Sequence, residues 1–315
     1  MISRRLPKPG LRNIDGILLY LEHAGPYLST LTPVDRVVSS ELSEEGQLIE
    51  VLDFPFYGRA LYIEHIAMLS LYDEFIYHET LVHPTLLTVE RPERVLIIGG
   101  GDGGALREVL KHPVDSVTMV ELDKSVIDLV RKHIPEVPSG AFEDERLNLV
   151  IGDGRAFVES TKEMYDAVIL DLTDPYGQAA RLYTKEFYEK VRGILRDGGL
   201  MVTHSTGLHI NRHTFQRIYR TIRDVFQKHA VARAYIPSFT DEWTFTYASD
   251  YAVPTDVPRD MLERRFEERR LAGRTKYYSP RVHYSLFQHP VFVEEIMKEE
   301  VRPSTDRDPA TIGEE

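Results

Sequence analysis

The sequence predicts an α/β fold: a Rossmann-like doubly wound sheet, preceded by a small N-terminal antiparallel β domain. From Arg94 onward, short apolar strands alternate with amphipathic helices such as KSVIDLVRKHI. This alternation is typical of a parallel sheet with helices on both faces. Residues 17 to about 75 instead carry short runs rich in β-branched and aromatic residues, broken by Gly, Pro and Ser, which indicates antiparallel strands.

The elements follow one another in a regular order. After the helical stretch DEFIYHETLVHPTLL, the predicted strands are RVLIIGG, DSVTMVELD, LNLVIGDG, YDAVILDLTD, LMVTHS and EWTFTYASD. The segments between and after them have apolar residues at helical spacing, as in KEFYEKVRGILRDGG, RHTFQRIYRTIRDVFQKH and PRDMLERRFEERRL. We therefore divide the chain into a flexible lead-in (1–16), an N-terminal β domain (17–76), a Rossmann-like catalytic domain (77–300) and a loosely ordered C-terminal tail (301–315).

Composition excludes several classes of function. The chain of 315 residues has no cysteine, so it forms no disulfides and uses no thiol chemistry. A formal net charge of −12 argues against nucleic acid or an anionic membrane as a partner. No segment has the ~18 consecutive apolar residues of a membrane span, and the start lacks the apolar core of a signal peptide. We expect a cytoplasmic protein that acts on small molecules.

Acidic residues follow strand after strand of the predicted sheet. Asp102 lies in the loop after the first strand, Glu121 ends the second, Asp153 follows the third, and Asp171 and Asp174 follow the fourth. Ligands of doubly wound sheets bind outside the carboxyl ends of the strands, so these acids are expected to line one crevice. The alternative is that each of them merely caps a helix N-terminus.

The glycine-rich turn GGGDGG indicates what this crevice binds. Gly99, Gly101 and Gly104 match the spacing of a dinucleotide fingerprint, but Asp102 at the centre would repel a pyrophosphate. Glu121 is placed to accept hydrogen bonds from both ribose hydroxyls, and GDG at Asp153 to contact an adenine. An adenosine with a cationic tail fits better, and decarboxylated S-adenosylmethionine, whose tail ends in a bare ammonium, fits best.

Several motifs resemble those of the spermidine synthase (polyamine aminopropyltransferase) family in order and spacing. They are YDEFIYHETLVHP, GGGDGGALREVLKHP, VELD, GDG and DLTDPYG, and the resemblance extends over roughly residues 17 to 300. It implies an enzyme that moves the aminopropyl group of decarboxylated S-adenosylmethionine to a polyamine nitrogen and releases methylthioadenosine. It also implies no metal and no resident cofactor, and a homodimer or homotetramer.

The resemblance also assigns roles to single residues. Asp171 would be the catalytic proton acceptor. The donor, or methylthioadenosine, would be held by Gln47, Asp102, Glu121, Asp153, Gly154 and Gln178. The polyamine would be held by Tyr77, His78, Asp102, Asp171, Asp174, Phe239 and Trp243.

Four positions depart from the pattern expected of a putrescine-using spermidine synthase. Met68 and His204 stand where glutamines are usual, Gln178 replaces a proline, and Phe239 replaces a tyrosine of the amine pocket. The stretches PSFTDEW and LYTKEFY look more like those of thermospermine synthases, so we expect a long acceptor such as spermidine. Its outer ammonium would be held by acids beside Trp243, in the stretch DEW.

Three alternatives stay open at this point. Putrescine or agmatine could be the acceptor, with the four departures reflecting drift or packing. A small-molecule methyltransferase on the same fold would need room for the carboxylate of S-adenosylmethionine, which the acidic crevice disfavours. A non-catalytic nucleoside-binding protein would not need the pair Asp171 and Asp174.

Overall fold

The N-terminal part forms two antiparallel sheets, as the strand patterns predicted. The structure, a computed structural model, describes residues 7–25 and 28–313. The first sheet has three strands, β1 (Gly10–Ile14), β2 (Ile17–His23) and β3 (Ser29–Pro33). The second has four, β4 (Arg36–Leu42), β5 (Leu48–Phe54), β6 (Gly58–Ile63) and β7 (Ile66–Ser70). Their apolar faces bury Tyr20, Leu52 and Leu61.

The rest of the chain is built on a seven-stranded sheet in the order β10-β9-β8-β11-β12-β14-β13. Its strands are β8 (Arg94–Gly99), β9 (Ser116–Glu121), β10 (Leu147–Ile151), β11 (Tyr165–Asp171), β12 (Leu195–Gly207), β13 (Lys228–Ile236) and β14 (Asp241–Ser249). Strands β8 to β12 are parallel to one another, and β14 runs antiparallel to both β12 and β13. The strand order reverses direction between β8 and β11, which is where a doubly wound sheet opens its ligand crevice.

Nine α-helices occur in the described ranges, 7–25 and 28–313. They are α1 (Glu74–Thr88), α2 (Gly104–Val109), α3 (Lys124–His133), α4 (Gly154–Ser160), α5 (Lys185–Gly193), α6 (Arg212–Val225), α7 (Arg259–Glu268), α8 (Pro280–Leu286) and α9 (Val291–Lys298). Helix α6 ends four residues before the predicted end, because 228–229 already belong to β13, a strand that the sequence analysis did not identify. None of the described helices has the length and apolar character needed to cross a membrane.

Both chain ends are more ordered than the sequence predicted. Gly10–Ile14 pairs with β2 in full register, so the expected lead-in contributes a strand, while residues 1–6 lie outside the described part. The expected loose tail is docked on the catalytic domain: Ser304 and Ala310 are fully buried, and Arg217 donates to the carbonyl oxygen of Asp308 at 2.7 Å. Residues 314–315 also lie outside the described part.

Candidate active site

One cavity of about 430 Å³ opens at the carboxyl ends of β8, β9 and β11. Every predicted site residue except His78 lines it. From the donor set these are Gln47, Asp102, Glu121, Asp153, Gly154 and Gln178; from the acceptor set they are Tyr77, Asp171, Asp174, Phe239 and Trp243. The acids that follow four different strands therefore do share one crevice, as their positions in the sequence predicted.

The glycines of the turn let the backbone pass very close to these acids. Gly99 has a φ of +80°, and a side-chain Cβ there would lie 2.2 Å from the carbonyl oxygen of Asp171. A Cβ on Gly101 would lie 2.9 Å from Oε2 of Glu121. Glycine is required at both positions because any other side chain would overlap the neighbouring atoms. The glycines bring protein carboxylates together rather than making room for phosphates.

Asp171, at the end of β11, is buried, and only one of its two carboxylate oxygens accepts a hydrogen bond. Tyr77 donates its hydroxyl hydrogen to Oδ1 at 2.9 Å, whereas Oδ2 has no hydrogen-bond partner in the described part of the chain. Burial and the nearby charge of Asp102 raise the pKa of Asp171 to about 7, against the opposing effects of His78 and Tyr77. Near neutral pH this carboxyl group can therefore both take up and release a proton.

Asp174 and His204 form a second pair of acceptors. Burial raises the pKa of Asp174 to about 7, and its Oδ1 lies 3.9 Å from Nδ1 of His204. Tyr183 donates to the carbonyl oxygen of Thr173, so Nε2 of His204 must carry the hydrogen in its 2.7 Å contact with the Tyr183 hydroxyl oxygen. Burial lowers the pKa of His204 to about 4, so the ring is neutral and Nδ1 is a bare acceptor.

His78 does not line the cavity, unlike the other residues expected to hold the acceptor amine. Its Nδ1 donates to Oε2 of Glu74 at 2.7 Å, and its Nε2 lies 3.3 Å from Oδ1 of Asp102. Burial alone would lower the pKa of His78, but Asp102 and Glu74 outweigh it and raise the pKa well above its usual value. Arg107 fixes Glu74 in turn, at 2.8 Å. His78 is thus an imidazolium that orients Asp102 from behind the cavity wall.

His78, Asp102 and Asp171 also have the composition of a metal site, with ligand atoms within 4.8 Å of one another. Their hydrogen bonds argue for a different occupant. Both nitrogens of His78 face carboxylates and carry hydrogens, which leaves no lone pair for a metal. The carboxylates of Asp102 and Asp171 suit an ammonium group, which donates hydrogen bonds and brings its own positive charge.

Glu121, Asp153 and Gly154 form the other half of the cavity. Burial raises the pKa of Glu121 to about 7, although Oε1 accepts a hydrogen bond from the backbone N–H of Asp123 at 2.9 Å. Asp153 caps α4 by accepting from the backbone N–H of Ala156 at 2.9 Å, so the capping alternative holds for one of its oxygens. A Cβ on Gly154 would lie 2.3 Å from Ile98, which explains the glycine after Asp153.

An aromatic wall closes the acceptor side. The ring centroids of Phe239 and Trp243 are 4.7 Å apart, and Trp243 stacks on His204 at 5.8 Å. Phe239 also packs edge-on against Tyr77 at 6.2 Å. Together with the thioether of Met68, these rings give a largely apolar passage that leads to the carboxylates.

The acids expected beside Trp243 to hold an outer ammonium, Asp241 and Glu242, already have partners within the protein. Asp241 accepts backbone hydrogen bonds from His209, Ile210 and Glu242, and Glu242 pairs with Arg233 at 2.5 Å. Neither residue lines the cavity.

Glu22 on β2 is an acid near the pocket that the sequence analysis missed. Its Oε1 accepts from the backbone N–H of Ala67, a residue of the cavity wall, at 2.9 Å. Burial and repulsion from Asp174 raise the pKa of Glu22 to about 7, which places the two carboxylates within electrostatic reach of each other. No motif surrounds Glu22, so only the fold of the N-terminal hairpin brings it here.

The arrangement suits a ligand with several positive groups. In the described part of the chain, Oδ2 of Asp171, Oδ1 of Asp174 and Nδ1 of His204 are buried acceptor atoms without a partner. Buried polar atoms are rarely left unsatisfied unless a ligand or water completes them. An ammonium group supplies the hydrogens that all three atoms lack.

Comparison with known proteins decides the family. Residues 74–257 match the family model described as spermine/spermidine synthase domain. A polyamine aminopropyltransferase of Korarchaeum cryptofilum is 68% identical over 99% of this chain and 97% of that protein. One from Sulfurisphaera tokodaii is 39% identical over 93% of this chain and 97% of its own length. The chain belongs to the spermine/spermidine synthase family.

Solved structures of spermidine synthases have the same fold. One, in complex with the transition-state analogue AdoDATO, superimposes with a TM-score of 0.83 at 30% identity and covers 94% of this chain and 99% of its own. The enzyme from Thermotoga maritima gives a TM-score of 0.80 at 29% identity, with 94% and 98% covered. The predicted Rossmann-like fold, the predicted family and the predicted aminopropyl transfer are confirmed. Decarboxylated S-adenosylmethionine is a co-substrate of the spermine/spermidine synthase family, as expected.

Proposed function

We propose that this aminopropyltransferase favours a long polyamine such as spermidine over putrescine, with Asp171 as the proton acceptor. The observation that carries the proposal is an acceptor side lined by the carboxylates of Asp171 and Asp174 and by the side chains of Met68, Phe239 and Trp243. Glu22 adds a third carboxylate behind this wall, where it accepts from the backbone N–H of Ala67. Putrescine or agmatine is the alternative acceptor.

The donor occupies the half of the cavity below the glycine turn. Glu121 accepts from the ribose hydroxyls, and Asp153 and Gly154 contact the adenine. Gln47 and Gln178, which also line the cavity, complete the donor site. Asp102 holds the ammonium of the aminopropyl group, since His78 and the backbone N–H of Gly104, 2.6 Å away, keep its carboxylate turned toward the turn.

The transfer is a direct displacement at carbon. The lone pair of the acceptor nitrogen attacks the methylene carbon next to the sulfonium, the carbon–sulfur bond breaks, and its electrons pass to sulfur as neutral methylthioadenosine leaves. An alkylamine with a pKa near ~10.4 is protonated at neutral pH, so a proton must first be removed. Asp171 accepts it through Oδ2, and Asp174 with Nδ1 of His204 holds the chain in line for attack.

A triamine makes better use of this pocket than a diamine does. Asp171 and Asp174 receive the reacting amine and the ammonium next to it. The methylenes then pass Met68, Phe239 and Trp243, and the outermost ammonium reaches Glu22. Putrescine would leave Glu22 without a cation, and a buried group that lacks its partner costs about 1–3 kcal/mol.

Competition between acceptors tests the proposal. The purified enzyme, a donor with an isotope-labelled aminopropyl group and equal amounts of putrescine, agmatine, cadaverine, norspermidine and spermidine are incubated, and the labelled products are separated by mass. We expect aminopropylated triamines to exceed spermidine formed from putrescine by about tenfold, the value of one charge-assisted hydrogen bond. Preferential use of putrescine would refute the long acceptor and leave aminopropyl transfer intact.

A single variant tests the part assigned to Glu22. Glu22→Gln should raise KM for spermidine about tenfold and leave KM for putrescine within about twofold, because only the longer amine reaches it. Glu41→Gln, on the exposed end of β4, is the matched control and should change neither value. Equal losses for both amines in Glu22→Gln would assign Glu22 to folding rather than to acceptor choice.

We further infer a cytoplasmic homodimer or homotetramer. Ile14, Ile17 and Leu31 on the three-stranded sheet are each about half exposed, which supports a contact with a second copy there. Sedimentation at micromolar concentration measures the number of subunits, and a monomer would refute the inference.

A further inference from the structure

The loop that covers the cavity has little support of its own. Residues 172–178, here the active-site loop, join Asp171 to the short helical turn Ala179–Tyr183 and line the cavity. Tyr176 is 62% exposed, and the only backbone hydrogen bond within this loop in the described structure joins its N–H to the carbonyl oxygen of Asp174. Its position must therefore be set from outside.

Tyr183 and His204 hold the carbonyl oxygens of Thr173 and Leu172, at 2.8 and 2.9 Å, and the C-terminal segment holds the part of the loop beyond them. Residues 304–312, here the C-terminal strap, lie against α5 and α6. The backbone N–H of Ser304 donates to Oγ1 of Thr221 at 2.7 Å, and its side chain accepts from the backbone N–H of Ala310 at 2.8 Å. Thr214 donates to the carbonyl oxygen of Thr311 at 2.8 Å. The strap is thus docked on the catalytic domain along its whole length.

The strap contacts the active-site loop directly at its far end. The backbone N–H of Ile312 donates to the carbonyl oxygen of Pro175 at 3.0 Å. Pro175 follows Asp174, whose carboxylate faces the cavity. A shift of this contact would move Asp174 and Tyr176 together, because they flank the anchored residue.

A second connection runs through an arginine of the cavity wall. Arg155 on α4 donates to both oxygens of Asp306, at 2.7 and 2.6 Å, and to the carbonyl oxygen of Arg181 at 3.0 Å. Arg181 belongs to the turn that ends the active-site loop, and both arginines line the cavity. Asp306 also accepts from Thr184 at 2.7 Å, which fixes its carboxylate between the turn and α4.

The strap therefore contacts the active-site loop at Pro175 and, through Arg155, the turn that follows this loop. We propose that the C-terminal strap is part of the donor site, with Asp306 and Ile312 as positioning residues that hold the active-site loop over the bound nucleoside. The proposal rests on the proposed function only in taking this cavity as the donor site. It does not depend on which polyamine is the acceptor.

Asp306 has an electrostatic effect as well as a mechanical one. Arg155 is a cation in the wall of a cavity whose donor carries a sulfonium and an ammonium. The bidentate pair with Asp306 offsets that charge and leaves Arg155 available as a donor to the turn. Loss of the carboxylate would leave Arg155 paired with the half-exposed Glu159, at 2.9 Å, and would expose the cationic donor to more of its positive charge.

Two point variants, each with a matched control, test the proposal in the full-length enzyme. Ile312→Pro removes the N–H that binds Pro175, and Ile312→Ala keeps it. Asp306→Asn removes the negative charge that pairs with Arg155. Arg307→Gln, at an exposed position on the same turn, leaves this ion pair in place. Calorimetry with methylthioadenosine and with the decarboxylated donor gives the dissociation constants, and hydrogen exchange reports on the amides of 172–178.

We expect Ile312→Pro and Asp306→Asn each to weaken both ligands about 3- to 10-fold and to speed exchange in the active-site loop, as fits the loss of one or two hydrogen bonds. The value of kcat at saturating donor should stay within about twofold. Arg307→Gln should behave like the native enzyme, and Ile312→Ala, which keeps the backbone N–H, should bind both ligands more tightly than Ile312→Pro does. Unchanged dissociation constants, or equal changes in the controls, would overturn the proposal. A fall in kcat with unchanged donor affinity would also overturn it. Product formation by the native enzyme tests the proposed function separately.

Discussion

The variant Asp171→Asn is expected to lose about 100-fold or more in kcat while it still binds the donor and methylthioadenosine. Asparagine keeps the shape of aspartate and can still accept the hydrogen bond from Tyr77. It cannot take up the proton of the attacking amine, and loss of a general base costs about 10²- to 10⁴-fold. Single-turnover measurements with preformed donor complex report the chemical step, and calorimetry with methylthioadenosine reports the integrity of the pocket.

The outcome distinguishes catalysis from structure. A loss in kcat with methylthioadenosine affinity within about threefold of the native value supports Asp171 as the base. Near-native turnover in the purified variant would remove Asp171 from that role. Parallel loss of turnover and of methylthioadenosine binding would show that Asp171 shapes the pocket instead, through its contacts with the glycine turn.

The second large effect concerns the choice of donor. Asp102→Asn is expected to lower the preference for decarboxylated over ordinary S-adenosylmethionine by about 10- to 100-fold. The variant removes the counter-charge of the aminopropyl ammonium, and hydrogen bonds to charged groups contribute about 1.5–3 kcal/mol. It also removes a repulsion against the carboxylate of the ordinary donor. Titration of both ligands into both proteins measures the ratio of affinities.

Asp153→Asn is the matched control for this change. Asp153 lies at the nucleoside end of the same cavity, which both donors share, so its replacement should weaken the two ligands by similar factors. An unchanged ratio in Asp102→Asn would mean that Asp102 does not discriminate between the donors. The contact between His78 and Asp102 would in that case serve the structure of the turn rather than the choice of donor.

Sequence patterns predicted the parallel sheet and the crevice because strand-end positions dictate where side chains meet. Asp102 follows β8, and Glu121 and Asp171 end β9 and β11, so their convergence required no knowledge of packing. The orientation of His78 could not be predicted in this way. Its partner Glu74 lies one helical turn earlier, but which of two faces of α1 meets the cavity depends on the tertiary packing of that helix.

Features that depend on distant contacts were missed or misjudged. Glu22 reaches the acceptor side only because the N-terminal hairpin folds over the catalytic domain, and its nearest sequence neighbours carry no motif. The last residues were predicted to be a loose tail because VRPSTDRDPATIGEE is polar and rich in turn formers. Its order comes from single long-range contacts, such as that between Asp306 and Arg155, which leave no periodic signal.

We expect the carboxylates on the acceptor side of the cavity to stay partly protonated until cationic ligands bind. Burial raises the pKa of Asp171, Asp174 and Glu22 to about 7, so the unliganded pocket carries protons near pH 6.5. A cation placed beside a carboxylate lowers its pKa, and the proton is released to the solvent. Neutral methylthioadenosine provides no such charge.

Calorimetry at pH 6.5 in two buffers of different ionisation enthalpy counts these protons directly. We predict that the decarboxylated donor, bound together with spermidine-length amine at a temperature too low for turnover, releases about one proton or more per site. Methylthioadenosine alone should release fewer protons than the cationic pair, because among the carboxylates of raised pKa it contacts only Glu121, which accepts from its ribose hydroxyls. Release of no protons by the cationic pair, or equal release by methylthioadenosine, would contradict the account.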